Sequence, residues 1–462
     1  MNVVADPTGL AELRARVTGT VAEPGHPRWE VEVAGFNRAI CHKPALVVAV
    51  EAADDIVAAV RYAAAYGLPV AVEATGHGAH LPVSDGVLIK THRLDAVTVD
   101  RGASTATVQA GARWRQVIDA AAPHGLAPLS GSASGVGAVG YTVGGGLPVM
   151  GRTFGFAADY VRSLDVVTAD GQLRTVDEHT EPDLFWGLRG GGGNLGIVAA
   201  MTIDLVPVST VHGGGLFYAT EDIPTVWHAW REWCPDLPES VTTSVAILRV
   251  PAAPEFPAPL RGRTICHLRF CHVGAVTDPV ALLAPMRAVA PALLDTVGEI
   301  PYTAIDGVHQ DPDHPLPFCH RGLLLGELTA ETVDALVAAT GLEVTAPLLM
   351  CEIRQLGGAL RRAPDGGSAV CGRDAAYSLV AVGLVAPDSA ALATEAVDAV
   401  LSAAEPAATG QSMLNLHGVP GDDLDRARAW KPPDYQRLLD LVARHDPQGL
   451  FRFGHAIGRC VG

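Results

Sequence analysis

A histidine between two glycines, Gly76-His77-Gly78, follows a run of strand character, LPVAVEA. With no Cβ on either flank, a flat ligand can approach the imidazole closely. On spacing alone a turn histidine is the simpler reading, since Gly-His-Gly marks a turn as readily as a site. Two glycine-rich runs follow, one from Gly131 to Gly155 and one from Arg189 to Gly196. Backbone N–H groups freed by glycine can nest an anion such as a pyrophosphate without any lysine. The run from Gly131 to Gly155 contains neither GxxxxGK[ST] nor a GxGxxG seated between a strand and a helix, so neither a P-loop nor a Rossmann fingerprint is supported. A plain structural loop is the other reading of that run.

Further along, LLMCEIRQL alternates with period two, so Met350, Glu352 and Arg354 share one face. Two charges on one face imply water or a ligand there. Tyr377 opens the next strand-like run, and its phenol is a general-base candidate if a nearby cation lowers its pKa. A solvated face and a capped strand end are equally good readings of these residues. Cys266-His267-Leu268-Arg269-Phe270-Cys271-His272 offers thiols and imidazoles, but in a strand Cys266 and Cys271 point to opposite faces. Four ligands at zinc distances cannot be assembled there, and no metal is expected. Gly131-Ser132-Ala133-Ser134-Gly135 has alanine where a G-x-S-x-G nucleophile would stand, which disfavours a hydrolase.

The elements that would position these residues alternate between strand and helix up to about residue 207: PALVVAVEA, a helix over 54–66, LPVAVEA, GVLIKTHRLDAVTVD, STATVQAG and VRSLDVVTADG. That pattern predicts a mixed α/β unit. From about 209 the strand candidates SVAILRV, RTICHLRFCHVG, LLMCEIRQL and YSLVAVGLVA interleave with Ala/Leu-rich helices near 278–297, 329–340 and 388–404. This predicts an antiparallel sheet backed by helices. The last stretch holds SMLNLHG, the helix DYQRLLDLVARH and LFRFGHAI.

Composition bounds the function. The chain has 462 residues, 33 basic and 50 acidic, for a net charge of −17. With no Lys/Arg-rich run, capture of nucleic acid is disfavoured. No apolar run is long enough for a membrane helix, and MNVVADPTGLAELRARV has neither the basic start nor the apolar core of a secretory signal, so a cytoplasmic protein is expected. Eight cysteines, from Cys41 to Cys460, are scattered without CxxC pairs and read as reduced thiols. Fifty glycines concentrate in the runs named above.

Four stretches in this order resemble the FAD-linked oxidases of the p-cresol methylhydroxylase superfamily, in the berberine-bridge-enzyme-like branch of the kind found in actinobacterial secondary metabolism. They are PALVVAVEAADDIVAAVRYAAAYGLPVAVEATGHGA, VGAVGYTVGGGLPVMGRTFGFAADYVRSLDVVTADG, PDLFWGLRGGGGNLGIV and HDPQGLFRFGHAI. The resemblance implies an α+β protein with a two-lobed FAD-binding PCMH-type domain at 1–207. A substrate domain at 208–408, an antiparallel sheet backed by helices, and a segment at 409–462 that completes the FAD domain would follow. His77 matches the histidine that carries the flavin covalently in the family's R-x-G-G-H motif, although Glu73 and Thr75 depart from it. Ala133 stands at the position of a second, cysteine attachment, so single attachment is expected. Further flavin contacts are implied for Ala74, Thr75, Gly76, Gly78 and Ala79. The same holds for Gly131, Ser132, Val136, Gly137, Gly140 and Tyr141, for Gly196, Ile197 and Val198, and for Asn415 and His455. Val136 falls at the position that governs oxygen access.

The resemblance further implies an FAD-dependent oxidase that removes hydride from a hydroxylated natural product or its sugar and passes electrons to O2, giving H2O2. Its partners are a small-molecule substrate and O2, and it is expected to be a monomer or homodimer. The tyrosines of the family's two tail motifs are replaced here by Met413-Leu414-Asn415 and by Trp430 to Leu438. That leaves Tyr377 and Glu352 as base candidates. A flavin dehydrogenase, an oxygenating or cyclising tailoring enzyme, and a flavin-binding carrier protein are the alternatives.

Overall fold

The computed structural model describes residues 7–275, 277–343, 347–386 and 389–458. Cys460 and the first six residues, on which the cysteine and leader readings partly rest, lie outside them. Among the described residues, three sheets organise the chain.

The first is a four-stranded sheet in the spatial order Thr20–Ala22, Leu46–Ala49, Val87–Lys90 and Val70–Glu73, the last three parallel. Helix Ala53–Ala65 connects two of them and covers the sheet with Ile56, Ala59, Val60 and Ala63. Every residue of Leu46–Ala49 and Val87–Lys90 is buried, as expected for parallel strands covered on both faces. At the carboxyl ends of the parallel strands Glu73 lies in register with Lys90, and the Gly76-His77-Gly78 turn follows directly.

The second sheet is five-stranded and antiparallel, ordered Val97–Asp100, Thr105–Gln109, Ile197–Asp204, Val161–Val167 and Leu173–Asp177. The glycine-rich run between Gly131 and Gly155 is more than a loop: it contains the short helices Ala138–Val143 and Gly151–Phe154. Gly146, at φ +68°, turns between them where a Cβ would strike the Tyr141 ring at 2.4 Å.

The third sheet has eight antiparallel strands drawn from Thr210–Tyr218 through Tyr377–Leu384. Its order puts Leu348–Gln355 between Val241–Arg249 and Tyr377–Leu384, with Phe318–Leu325 at one edge. Helices Ile223–Trp233, Pro279–Arg287, Ala330–Thr340 and Ala390–Ala404 cover one face. The helix expected over 278–297 stops at Arg287. Ala292–Asp295 instead forms the strand at the other edge, pairing with Thr210–Tyr218.

The last segment returns to the first sheet. Helix Pro432–His445 buries Leu438 and Leu441 in the core shared with Leu184 and Trp186. Beyond it Asp446 accepts from the N–H groups of Leu450 and Phe451 at 2.8 and 2.9 Å, and Val70 N–H donates to Leu450 O at 2.8 Å. Among the described residues no helix is long and apolar enough to cross a membrane.

Candidate active site

The ends of the parallel strands, the two glycine-rich runs, the third sheet and the returning tail enclose one cavity of about 490 Å³. The residues expected at a flavin meet there: Ala74 to Ala79, Gly131, Ser132, Val136, Gly137, Gly140, Tyr141, Asn415 and His455 all line it, as does Ala133. Gly196, Ile197 and Val198 do not. Gly196 lies where a Cβ would meet Val166 and Val167 at 2.6–2.8 Å, and Ile197 and Val198 begin a strand of the second sheet. Gly190, Gly192, Gly193 and Asn194, a few residues earlier, take the place on the wall.

Among the described residues, the backbone N–H groups of Thr75, Gly76, His77 and Gly78 make no hydrogen bond within the chain. Four successive free amides in a turn form an anion nest. Gly76 is required by its φ of +79°, and a Cβ there would strike the backbone of Gly35 and Phe36 at 2.7–2.9 Å. Gly78 and Gly140 have nothing within 4 Å of where a Cβ would be, which leaves room for a ligand to approach the backbone. A large, glycine-walled cavity with a neutral anion nest and an imidazole at its rim fits FAD.

The His77 ring stacks on Phe36 with centroids 3.7 Å apart, and Nδ1 lies 2.8 Å from Thr75 Oγ1. Burial, assisted by the charge of Arg113, lowers its pKa to about 4, so the imidazole is neutral at pH 7. Below it Glu73 is held by Lys90 and by His42 Nε2 at 3.1 Å, and His42 Nδ1 accepts from Val83 N–H. Burial alone would raise the Glu73 pKa. The His42 hydrogen bond and the Lys90 charge outweigh it and bring it to about 2. The departure from the arginine expected at position 73 is thus compensated locally: the carboxylate is ionised and paired.

Asn415 Nδ2 donates to Tyr141 O at 2.9 Å, tying the tail to the helix at Ala138–Val143. Gly144 permits this, since a Cβ there would lie 1.8 Å from Asn415 Oδ1. The Tyr141 hydroxyl is buried and has no hydrogen-bond partner among the described residues.

The two base candidates fare differently from the flavin residues, and neither lines the cavity. Tyr377 points to the helix-covered side of its sheet. Its hydroxyl lies 3.8 Å from Cys234 Sγ and its ring 5.9 Å from that of Trp230, and burial pushes the phenol further above its ordinary value. Glu352 is fully buried, bonded to Arg269, to Ser244 Oγ at 2.8 Å and to Arg354 Nε at 2.8 Å. Burial would raise its pKa, but the two guanidinium charges hold it far below the carboxylate range. With its oxygens taken up by two guanidiniums and a hydroxyl and no face on the cavity, this carboxylate cannot reach a substrate proton.

Sequence reasoning missed the imidazoles that do reach the wall, His80 and His320, together with His42. His80 and His455 pack with ring centroids 4.2 Å apart, and His417 stands 5.0 Å from His455. No motif announces this cluster, because its members come from four separate segments.

Residues 44–177 match the model of a family described as an FAD binding domain. Among curated proteins, the chain is 27% identical over 239 residues to an uncharacterised FAD-linked oxidoreductase of Bacillus subtilis, YgaK, a match covering 50% of this chain and 53% of that one. It is 33% identical over 214 residues to a xylooligosaccharide oxidase of Thermothelomyces thermophilus, covering 44% and 43% respectively. The chain thus spans about half the length of both relatives. Among solved structures, the berberine-bridge-enzyme-like protein 1 of Physcomitrella patens superposes with a TM-score of 0.84 at 20% identity, covering 97% of this chain and 98% of that one. The fold is therefore the mixed α+β fold of that structure, with an FAD binding domain within residues 44–177.

Proposed function

From a chain that carries an FAD binding domain in the berberine-bridge-enzyme-like fold, we propose an FAD-dependent oxidoreductase that works as an oxidase on a hydroxylated small molecule, a natural product or its sugar. The observation that carries this reading is the row of four free amides at Thr75 to Gly78 beside the neutral His77 imidazole, at the rim of the glycine-walled cavity. When bound, FAD supplies the two-electron acceptor, and passage of the electrons to O2 gives H2O2.

The residues of the chain divide the remaining work. The amides of 75–78 would receive the pyrophosphate, and His77 would hold the flavin covalently, its ring fixed by Phe36 and Thr75. With alanine at position 133, where a second, cysteine attachment would stand, attachment is single. Val136, also on the wall, leaves oxygen access open. We assign the proton-accepting role to His320, because it lines the cavity from the third sheet and its ring makes no hydrogen bond among the described residues. Glu352 and Tyr377 take structural roles, fixing Arg354 and closing the helix-covered core. The division into 1–207, 208–408 and 409–462 belongs to the same reading, as does a monomer or homodimer.

Acid precipitation tests the core of it. Yellow colour should remain with the wild-type pellet and leave with His77→Ala, and turnover with a panel of alcohols and sugars should produce H2O2. Free flavin from the wild type would refute covalent attachment. Slow reoxidation by air would point to a dehydrogenase, and a flavin that no substrate bleaches would point to a carrier protein.

A further inference from the structure

Beneath the cavity the third sheet carries a compact charge cluster that the proposed reaction does not use. Glu352 is shared by Arg269 and Arg354, from neighbouring regions of the sheet, and Ser244 supplies a further hydrogen bond. His309 stands 3.8 Å from Glu352 Oε1, and burial with the Arg269 charge keeps it neutral. Two cations therefore face one carboxylate, leaving one positive charge in excess within a protein of net charge −17. A buried excess charge is costly unless something pairs with it.

The geometry locates that excess. Arg269 is 2% exposed and spends its fork on Glu352 and the Met350 sulfur, whereas Arg354 uses only Nε on Glu352. Both Nη groups of Arg354 make no hydrogen bond among the described residues, and the side chain lines the large cavity. Asp311 acts on Arg354 only at a distance, without an ion pair. The Tyr141 hydroxyl, buried and unpartnered, is on the same wall and within electrostatic reach of Arg354. A guanidinium whose Nε is anchored and whose Nη groups are free is oriented for a planar oxyanion, with a phenol O–H as a further donor.

We propose that Arg354, oriented by Glu352 and assisted by Tyr141, is the binding site for a carboxylate on the substrate, so that the enzyme selects hydroxylated acids over their neutral counterparts. This rests on the oxidoreductase reading for the word substrate, but the site itself is a property of the chain.

The test uses the purified full-length protein with benzoate and benzamide, which match in shape and differ in charge, followed by titration calorimetry. The wild type should bind benzoate about tenfold or more tightly than benzamide. Arg354→Gln should abolish the preference by weakening benzoate far more than benzamide, Arg354→Lys should keep part of it, and Tyr141→Phe should reduce it several-fold. Circular dichroism and FAD content establish that each variant is folded. Equal affinities in the wild type would overturn the proposal. So would an intact preference in Arg354→Gln accompanied by a lowered flavin potential, since the cation would then serve the flavin. Calorimetry does not require flavin colour: a protein without FAD would refute the oxidoreductase reading and leave this one to be decided by the benzoate preference.

Discussion

His320 has to be neutral at the working pH if it is to take a proton. Burial, with the nearby imidazoles of His80 and His417, lowers its pKa to about 4. A group so lowered is charged, and useless as a base, only below that value. Flavin reduction should therefore rise as pH increases through about 4 and stay level from about 6 to about 9, measured by stopped-flow absorbance. A rise near pH 10 instead would mean a phenol and would exclude His320. His320→Gln should slow reduction by about 100-fold or more with little change in substrate affinity. At this scale the sequence showed which types of residue were present but not their electrostatic partners. Glu352 and Arg354 were readable as one face by alternation. That Arg269, 83 positions away, would lock the carboxylate was not, because the contact exists only once two strands are brought close in the sheet.

The elements meet at Gly190. Its N–H donates to Val143 O at 2.9 Å, and its carbonyl accepts from Trp430 Nε1 at 2.9 Å. A Cβ would lie 2.6 Å from the backbone of Ala369 and Val370, and φ is +115°. The helix at Ala138–Val143, the loop after the eight-stranded sheet's Leu348–Gln355 strand and the returning tail are thus clamped through one residue without a side chain. Gly190→Ala should destabilise the protein by about 1–3 kcal/mol from strain alone and more from the clash, read as a lower midpoint in urea. It should also weaken flavin retention, since Gly190 is on the cavity wall. An unchanged midpoint would show that the three elements are joined elsewhere. The strand positions were legible from apolar periodicity, whereas the short helices inside the glycine-rich run were not, because they are too brief to show a period. Ala292–Asp295 pairs as an edge strand, a partner choice that lies with Thr210–Tyr218 and not with its own sequence.

Over the whole molecule, a chain of net charge −17 would meet a dianionic pyrophosphate, on the proposed reading, with backbone amides in place of lysines. Amide dipoles in contact with the ligand are screened far less by salt than exposed side-chain charges are. For His77→Ala, where binding is reversible, the FAD dissociation constant should change by less than about threefold between about 0.05 and about 0.5 M NaCl. A steep salt dependence would mean that cations, with Arg113 foremost, hold the phosphates. The local sequence dictates the side of the cavity proposed for the flavin: the glycines at 76, 78 and 140 and the histidine at 77. These are local requirements, since a turn that needs positive φ or an open backbone dictates its residue regardless of what lies across the cavity. The opposite side depends on contacts between distant segments. Placing Tyr377 against the helices, burying Glu352 between two guanidiniums, and aiming Arg354 and His320 at the cavity all depend on sheet register and on which face the helices cover. These follow from pairing between segments far apart in the chain, which no local pattern encodes.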